Sequence, residues 1–112
     1  RTAPVKRLDE NWRLEITDTR VNGGKWSLYV TLETPLHLNE QTDESAVIFG
    51  ENNQSTVLTQ TPLLVKSGVT DKPQTITVFW NEAEGILLNL SEQRIYGKGK
   101  WTATLKWSVV PN

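Results

Sequence analysis

Two stretches at opposite ends of the chain alternate large apolar residues with polar ones. Trp26, Leu28, Val30 and Leu32 form the first, and Trp101, Ala103, Leu105, Trp107 and Val109 the second. Successive side chains of a β-strand point to opposite faces, so each stretch presents one apolar face and one polar face. A chain built around two such stretches is constrained to half-buried sheet, and each apolar face needs a second layer to cover it. The pattern places Trp26, Leu28, Trp107 and Val109 inward as core residues. Indole faces also stack on sugars, but a Trp followed on its own strand face by further apolar residues reads first as a core anchor.

The remaining strands follow from alternation and turn signals. Trp12, Leu14 and Ile16 alternate with Arg13, Glu15 and Thr17, which predicts a strand over 12–20. Asn22-Gly23-Gly24 tolerates the positive φ angles of a tight turn, so this strand and the next, over 25–34 and ended or bent by Pro35, are expected to pair as a hairpin. Short strands are expected near 46–50, 55–59 and 62–66, and a loop by composition over 66–73. A strand over 74–80 turns Ile76, Val78 and Trp80 to one face and Phe79 to the other. A turn over 81–85, a strand over 86–90 and a last strand over 100–110, stopped by Pro111, complete the series. No segment has sustained helical periodicity. The expected fold is all-β, a single antiparallel β-sandwich (Ig-like or related) with long loops. Residues 1–10, with Pro4 and charges at Lys6, Arg7, Asp9 and Glu10, read as a flexible lead-in, and residues 11–112 as one domain.

Composition removes several classes of function. Twelve Lys and Arg against thirteen Asp and Glu leave a net charge of -1, without the global basic field that nucleic acid selects. No apolar run approaches the roughly 20 residues of a membrane-spanning helix, so no membrane insertion by this segment is expected. The chain starts at Arg1 rather than Met and reads as a processed or excised piece without a visible secretory signal. There is no cysteine, which excludes disulfides and thiolate sites. The single histidine, His37, reads as an ordinary loop residue, and a multi-histidine zinc site is excluded. Glu82 and Glu84 flank a turn without the supporting residues of a glycosidase pair. No phosphate loop or activated nucleophile is present, so neither catalysis nor a cofactor is expected. Charge is nonetheless divided. From Trp26 to Val65 there is no Lys or Arg, and from Gln93 to the end there is no Asp or Glu.

Leu14-Glu15-Ile16-Thr17-Asp18-Thr19-Arg20, a glycine turn and Trp26-Ser27-Leu28-Tyr29-Val30 together resemble the first signature of the WxL domain family. Gly85-Ile86-Leu87-Leu88-Asn89-Leu90, followed by Gly99-Lys100-Trp101-Thr102-Ala103-Thr104-Leu105-Lys106-Trp107-Ser108-Val109-Val110-Pro111, is similar to that family's closing signature. The resemblance extends over about 12–112 and is specific only at its two ends. It departs from the family at Val109, where Leu is usual, at Trp101, where Tyr is usual, and in having only eleven residues before Trp12. A short N-terminus implies either a compact variant or an absent strand and an open sheet edge. The resemblance implies a domain of Gram-positive surface proteins, extracellular and held non-covalently at the cell wall, with peptidoglycan or another wall polymer as ligand. It also implies a possible protein partner, a membrane-anchored WxL-interacting protein.

The residues suggest where such a ligand would sit. Tyr29 points away from Trp26, and Tyr96 lies in a glycine-containing lead-in, so either ring is suited to stack on a sugar. Arg94, Lys98 and Lys100 would meet carboxylates or anionic polymers. Asp18 and Arg20 share one strand face, either as an ion pair that fixes the local turn or as contacts to a muropeptide. The competing expectation is a protein-interaction domain, acting through an open sheet edge or through the acidic stretch from Glu33 to Glu51.

Overall fold

The computed structural model describes residues 2–4 and 13–112. Ten strands carry them: β1 (Thr2–Pro4), β2 (Leu14–Asp18), β3 (Gly24–Leu38), β4 (Gln41–Asp43), β5 (Val47–Glu51), β6 (Gln54–Val57), β7 (Leu63–Thr70), β8 (Gln74–Val78), β9 (Gly85–Asn89) and β10 (Thr102–Pro111). No helix occurs among the described residues, and every strand pair is antiparallel. One sheet has the order β1-β9-β5-β6 and another is the pair β2-β8. The third is built on β3, with β10 along one edge and β7 and then β4 along the other. The fold is therefore all-β and sandwich-like.

β3 is the axis of the molecule. Its 15 residues, at roughly 3.3 Å each, nearly match the 52 Å long dimension. Its inward residues Trp26, Leu28, Val30, Leu32 and Leu36 are all buried. Ile16 and Val78 of the β2-β8 pair, Val47 and Phe49 of β5, and Leu58 and Trp80 from the connections pack into the same core. Each fully buried side chain of this size is worth about 1.5–3 kcal/mol. Trp80 joins the layers. Its ring stacks on Trp107 at 5.8 Å, meets Phe49 edge-on at 5.3 Å, and its Nε1 donates to Glu51 Oε2 at 2.9 Å.

Several expectations are corrected. β2 and β3 form, but they do not pair as a hairpin; β2 pairs with β8 instead. The turn between them does close, with the Gly23 amide donating to the Arg20 carbonyl at 3.0 Å and Gly23 at φ +62°. It acts as an arch that carries the chain from one layer to the other, because the apolar face of β2 gains more by lying over Trp26 and Leu28 than by lying beside them. Of the segment 66–73 only residues 71–73 are a loop. β7 runs through to Thr70, since β3 has backbone groups on that edge that need partners. Gly68 is required there: a Cβ on it would fall 2.6 Å from the Trp26 ring. β3 also continues past Pro35 to Leu38. The β10 register shifts between Thr102 and Leu105, opposite this proline, where no ladder bond is demanded of it.

Two further corrections concern the ends. Thr2–Pro4 is not a loose lead-in but a strand paired with β9. The rest of that lead-in, and Trp12 as a strand start, lie outside the described residues. Val109 is not a core residue. It sits on the inward side of β10, opposite Leu28, yet remains 43% exposed, and Trp107 and Leu105 are only half-buried. Among the described residues the covering β2-β8 layer is two strands wide, enough to bury the inner face of β3, while that of its neighbour β10 is buried less fully.

Candidate binding surfaces

The first surface lies where β3 begins. Arg20 grips Asp18 in a bidentate pair, with Nε 3.0 Å from Oδ1 and Nη2 2.9 Å from Oδ2, while the Arg20 amide donates to Oδ1 at 3.0 Å. The Thr70 hydroxyl at the end of β7 donates to Asp18 Oδ2 at 2.6 Å. Arg20 Nη2 also donates to the Lys25 carbonyl at 2.9 Å and Nη1 to that of Asn112 at 3.3 Å. One guanidinium thus ties together the ends of β2, β3 and β10, and through Asp18 that of β7. The Arg20 side chain, then the Thr70 hydroxyl and the Arg20 amide, hold the Asp18 carboxyl far below the usual carboxylate range. The carboxylate in turn raises the Arg20 guanidinium above its ordinary value.

Beside this node lies an open, mainly apolar cleft of about 190 Å³, lined by residues 16–20 of β2 and its turn, by Trp26, and by Val109 and Pro111 of β10. Trp26 is 5% exposed, and its Nε1 has no hydrogen-bond partner among the described residues. The structure therefore brings Asp18, Arg20, Trp26 and Val109 together from opposite ends of the sequence. Leu28 is buried next to them, and Trp107 lies two residues along β10 against Trp80.

The second surface lies where β3 ends. The Tyr96 hydroxyl donates to Asp43 Oδ2 at 2.5 Å and accepts the Ser91 amide at 3.0 Å. Its ring meets Trp101 edge-on at 5.4 Å, and Trp101 Nε1 donates to the Gly97 carbonyl at 2.8 Å. The Arg94 guanidinium donates to the Thr42 carbonyl and lies 5.6 Å from the centre of the Tyr96 ring. Burial opposes ionisation of Asp43, but the Tyr96 hydroxyl and the Ser45 amide and hydroxyl outweigh it and hold the carboxyl below its ordinary value. Burial, and then the Asp43 carboxylate, push the Tyr96 phenol up. Tyr96 and Arg94 are thus engaged in fastening the 91–100 connection to β4. Lys98 and Lys100 are exposed, and Lys98 borders an open hollow of about 490 Å³ shared with Leu38, Asn39, Glu40, Gln41 and Gly97.

The third surface is the outer face of the β3 sheet. Tyr29, half-buried, lies on it between Leu64 of β7 and Ser108 of β10. In the next row Ser27 lies between Ser67 and Val110, and Lys25 pairs with Val69 beyond that. Asn112 Nδ2 donates to Ser27 Oγ at 2.8 Å. The face carries one phenol ring, hydroxyls, exposed aliphatic side chains and Lys25. The five residues expected to hold a ligand do not converge. Tyr29 stands mid-sheet, and the other four stand at the far end of β3.

Other candidates have structural partners. His37 lies on β3 with Nδ1 2.9 Å from the Pro35 carbonyl. Glu84 accepts from the Asn52 amide and the Asn81 side chain, fixing two turns. No cluster of three potential metal ligands occurs among the described residues. Thr70, Asp43 and Asn112 were not visible as site residues in the sequence. Gly68 carried the one usable signal, a glycine inside an alternating stretch. No protein-family model, curated protein or solved structure matches this chain.

Proposed function

We propose that the chain is a non-catalytic binding module of the WxL type, acting outside the cell and holding its parent protein to the Gram-positive cell wall. The observation that supports this best is the meeting of the two signatures. Trp26 pairs with Pro111 and Leu28 with Val109, while Asp18 and Arg20 close the same end of the sandwich. Residues more than eighty positions apart form one structural unit, which is what two separate signatures of a single domain require.

The ligand surface under this reading is the Tyr29 face. A sugar ring stacks on the phenol, and the hydroxyls of Ser67 and Ser108 in neighbouring strands reach the ring substituents. Lys98 and Lys100 meet carboxylates of stem peptides or anionic wall polymers. Tyr96 and Arg94 contribute by fixing the connection that carries the two lysines. The test is co-sedimentation with purified sacculi, stripped or unstripped of accessory polymers. The domain is expected in the pellet, with Tyr29→Ala lowering affinity about tenfold at a temperature where the variant is still folded. A domain that remains in the supernatant with both preparations would overturn the reading.

A further inference from the structure

We propose that Asn22 is a site of spontaneous covalent modification, converted to aspartate and isoaspartate through a cyclic imide with Gly23, and that the Asp18–Arg20 node sets the rate. This goes beyond wall attachment and does not depend on it.

Sequence and conformation single out this asparagine. It alone among the asparagines of the chain is followed by glycine. Its side chain is exposed, and so is that of Val21 before it, at 80%. With no Cβ on residue 23, the Gly23 nitrogen approaches the Asn22 side-chain amide carbon unhindered. The fold also forbids replacing that glycine. Gly23 has φ +62°, and a Cβ on it would fall 2.3 Å from the Thr70 carbonyl oxygen. Asn39, Asn52 and Asn53 also have positive φ, but Glu40, Asn53 and Gln54 follow them, each with a side chain beside the attacking nitrogen.

The chemistry needs only water and hydroxide. The Gly23 nitrogen loses its proton to hydroxide and bonds to Asn22 Cγ. The side-chain nitrogen takes a proton from water and leaves as ammonia, which regenerates the hydroxide. Water then opens the imide. Cleavage of the bond from Cγ to nitrogen leaves aspartate. Cleavage of the bond from the former backbone carbonyl to nitrogen leaves isoaspartate, with the main chain rerouted through Cβ and Cγ.

The folded arch holds this reaction back. The Gly23 amide proton is engaged by the Arg20 carbonyl at 3.0 Å. Both flanks of the turn are pinned, the Arg20 amide on Asp18 Oδ1 at 3.0 Å and the Gly24 amide on Thr70 Oγ1 at 3.1 Å. The Thr70 hydroxyl itself donates to Asp18 Oδ2, so one carboxylate steadies both flanks. Ring closure requires the arch to open, and its rate follows the population of the open form. Isoaspartate inserts an extra main-chain atom inside a turn closed by a single hydrogen bond, and either product adds a negative charge two residues from Arg20.

The test incubates the intact chain in mildly alkaline buffer and follows each asparagine by peptide mass spectrometry, with isoaspartate distinguished from aspartate by fragmentation. Asn22 is expected to convert first, to both products, at least about tenfold more slowly than in a peptide of residues 18–26. Arg20→Lys, which keeps the charge but not the fork, is expected to quicken conversion about tenfold. Tyr96→Phe, at the other end of β3, is expected to leave the rate unchanged, and Asn22→Ser to abolish the signal. Earlier conversion of another asparagine, or an intact Asn22 while the peptide converts, would overturn the site. An unchanged rate in Arg20→Lys, or an equal rise in Tyr96→Phe, would overturn the role of the node. Sacculus binding is measured on freshly prepared protein, so the two proposals fail separately.

Discussion

The two ends of β3 solve the same problem differently. At each end a carboxylate with little exposure ties together segments distant in the sequence. At the first end Asp18 is held by a guanidinium, so its charge is answered by a charge. At the other end Asp43 is held by a phenol, a serine hydroxyl and an amide, so its charge is answered only by dipoles, with Arg94 acting at longer range. The first arrangement fixes backbone ends directly, through the Lys25 and Asn112 carbonyls. The second fixes a connection of ten residues to β4 through the Tyr96 ring, with Arg94 on the Thr42 carbonyl and the Gly97 amide on Gln41 beside it. A guanidinium has five donors in a rigid fork and can serve several strands at once, whereas a phenol has one donor and depends on ring packing for the rest.

The contrast can be tested at decreasing scale. Trp26→Ala removes the indole that lies over Gly68 beside the Asp18 node. It is expected to cost about 3–5 kcal/mol by denaturant titration, enough to unfold a domain of ordinary stability. A cost under about 1 kcal/mol would mean that this end is not anchored in the core.

Tyr96→Phe keeps the ring and removes the hydroxyl that Asp43 accepts. The expected cost is about 1.5–3 kcal/mol, the range for a hydrogen bond to a charged group. Amide exchange should quicken at residues 41–43 and 91–97 and stay unchanged at Lys25, Thr70 and Asn112. Arg20→Lys should give the opposite pattern, because the charge survives and the fork does not. If both variants loosen both ends, the ends are not independent.

Acid titration separates the ends again. Both carboxyls have folded pKa values below the ordinary 3.8. Their contributions are therefore complete above that value and are lost as pH falls through each folded pKa. Asp18 is displaced further, so the Asp43 end should loosen first, read as carbon shifts of the two carboxyls below about pH 4. The smallest effect is expected for Lys98→Ala and Lys100→Ala, within about 0.5 kcal/mol in stability. A loss of sacculus binding in these variants would therefore report contact with the wall.

Much of the fold was legible because alternation is a local property. Trp26, Leu28, Val30 and Leu32 announce a buried strand face, and they form one. The turn at Asn22-Gly23 was also readable, but not the partner of the strand before it. Pairing β2 with β3 or stacking one on the other satisfies the same local pattern, and only the shared core with β8 decides between them. Residues 66–70 were misread as part of the 71–73 loop because serine and glycine signal loops wherever no neighbouring strand demands otherwise.

Among the candidate sites, Tyr29 was placed by strand geometry alone, on the face away from Trp26. Tyr96 and Arg94 could not be placed that way, since their partners Asp43 and Thr42 are about fifty residues distant. The sequence by itself determined which side chains face inward along each strand and where charge accumulates, because both follow from spacing and composition. Which strands become neighbours and which carboxylates are held in place were decided by the tertiary structure. Those outcomes depend on contacts between distant residues that compete for the same apolar surface.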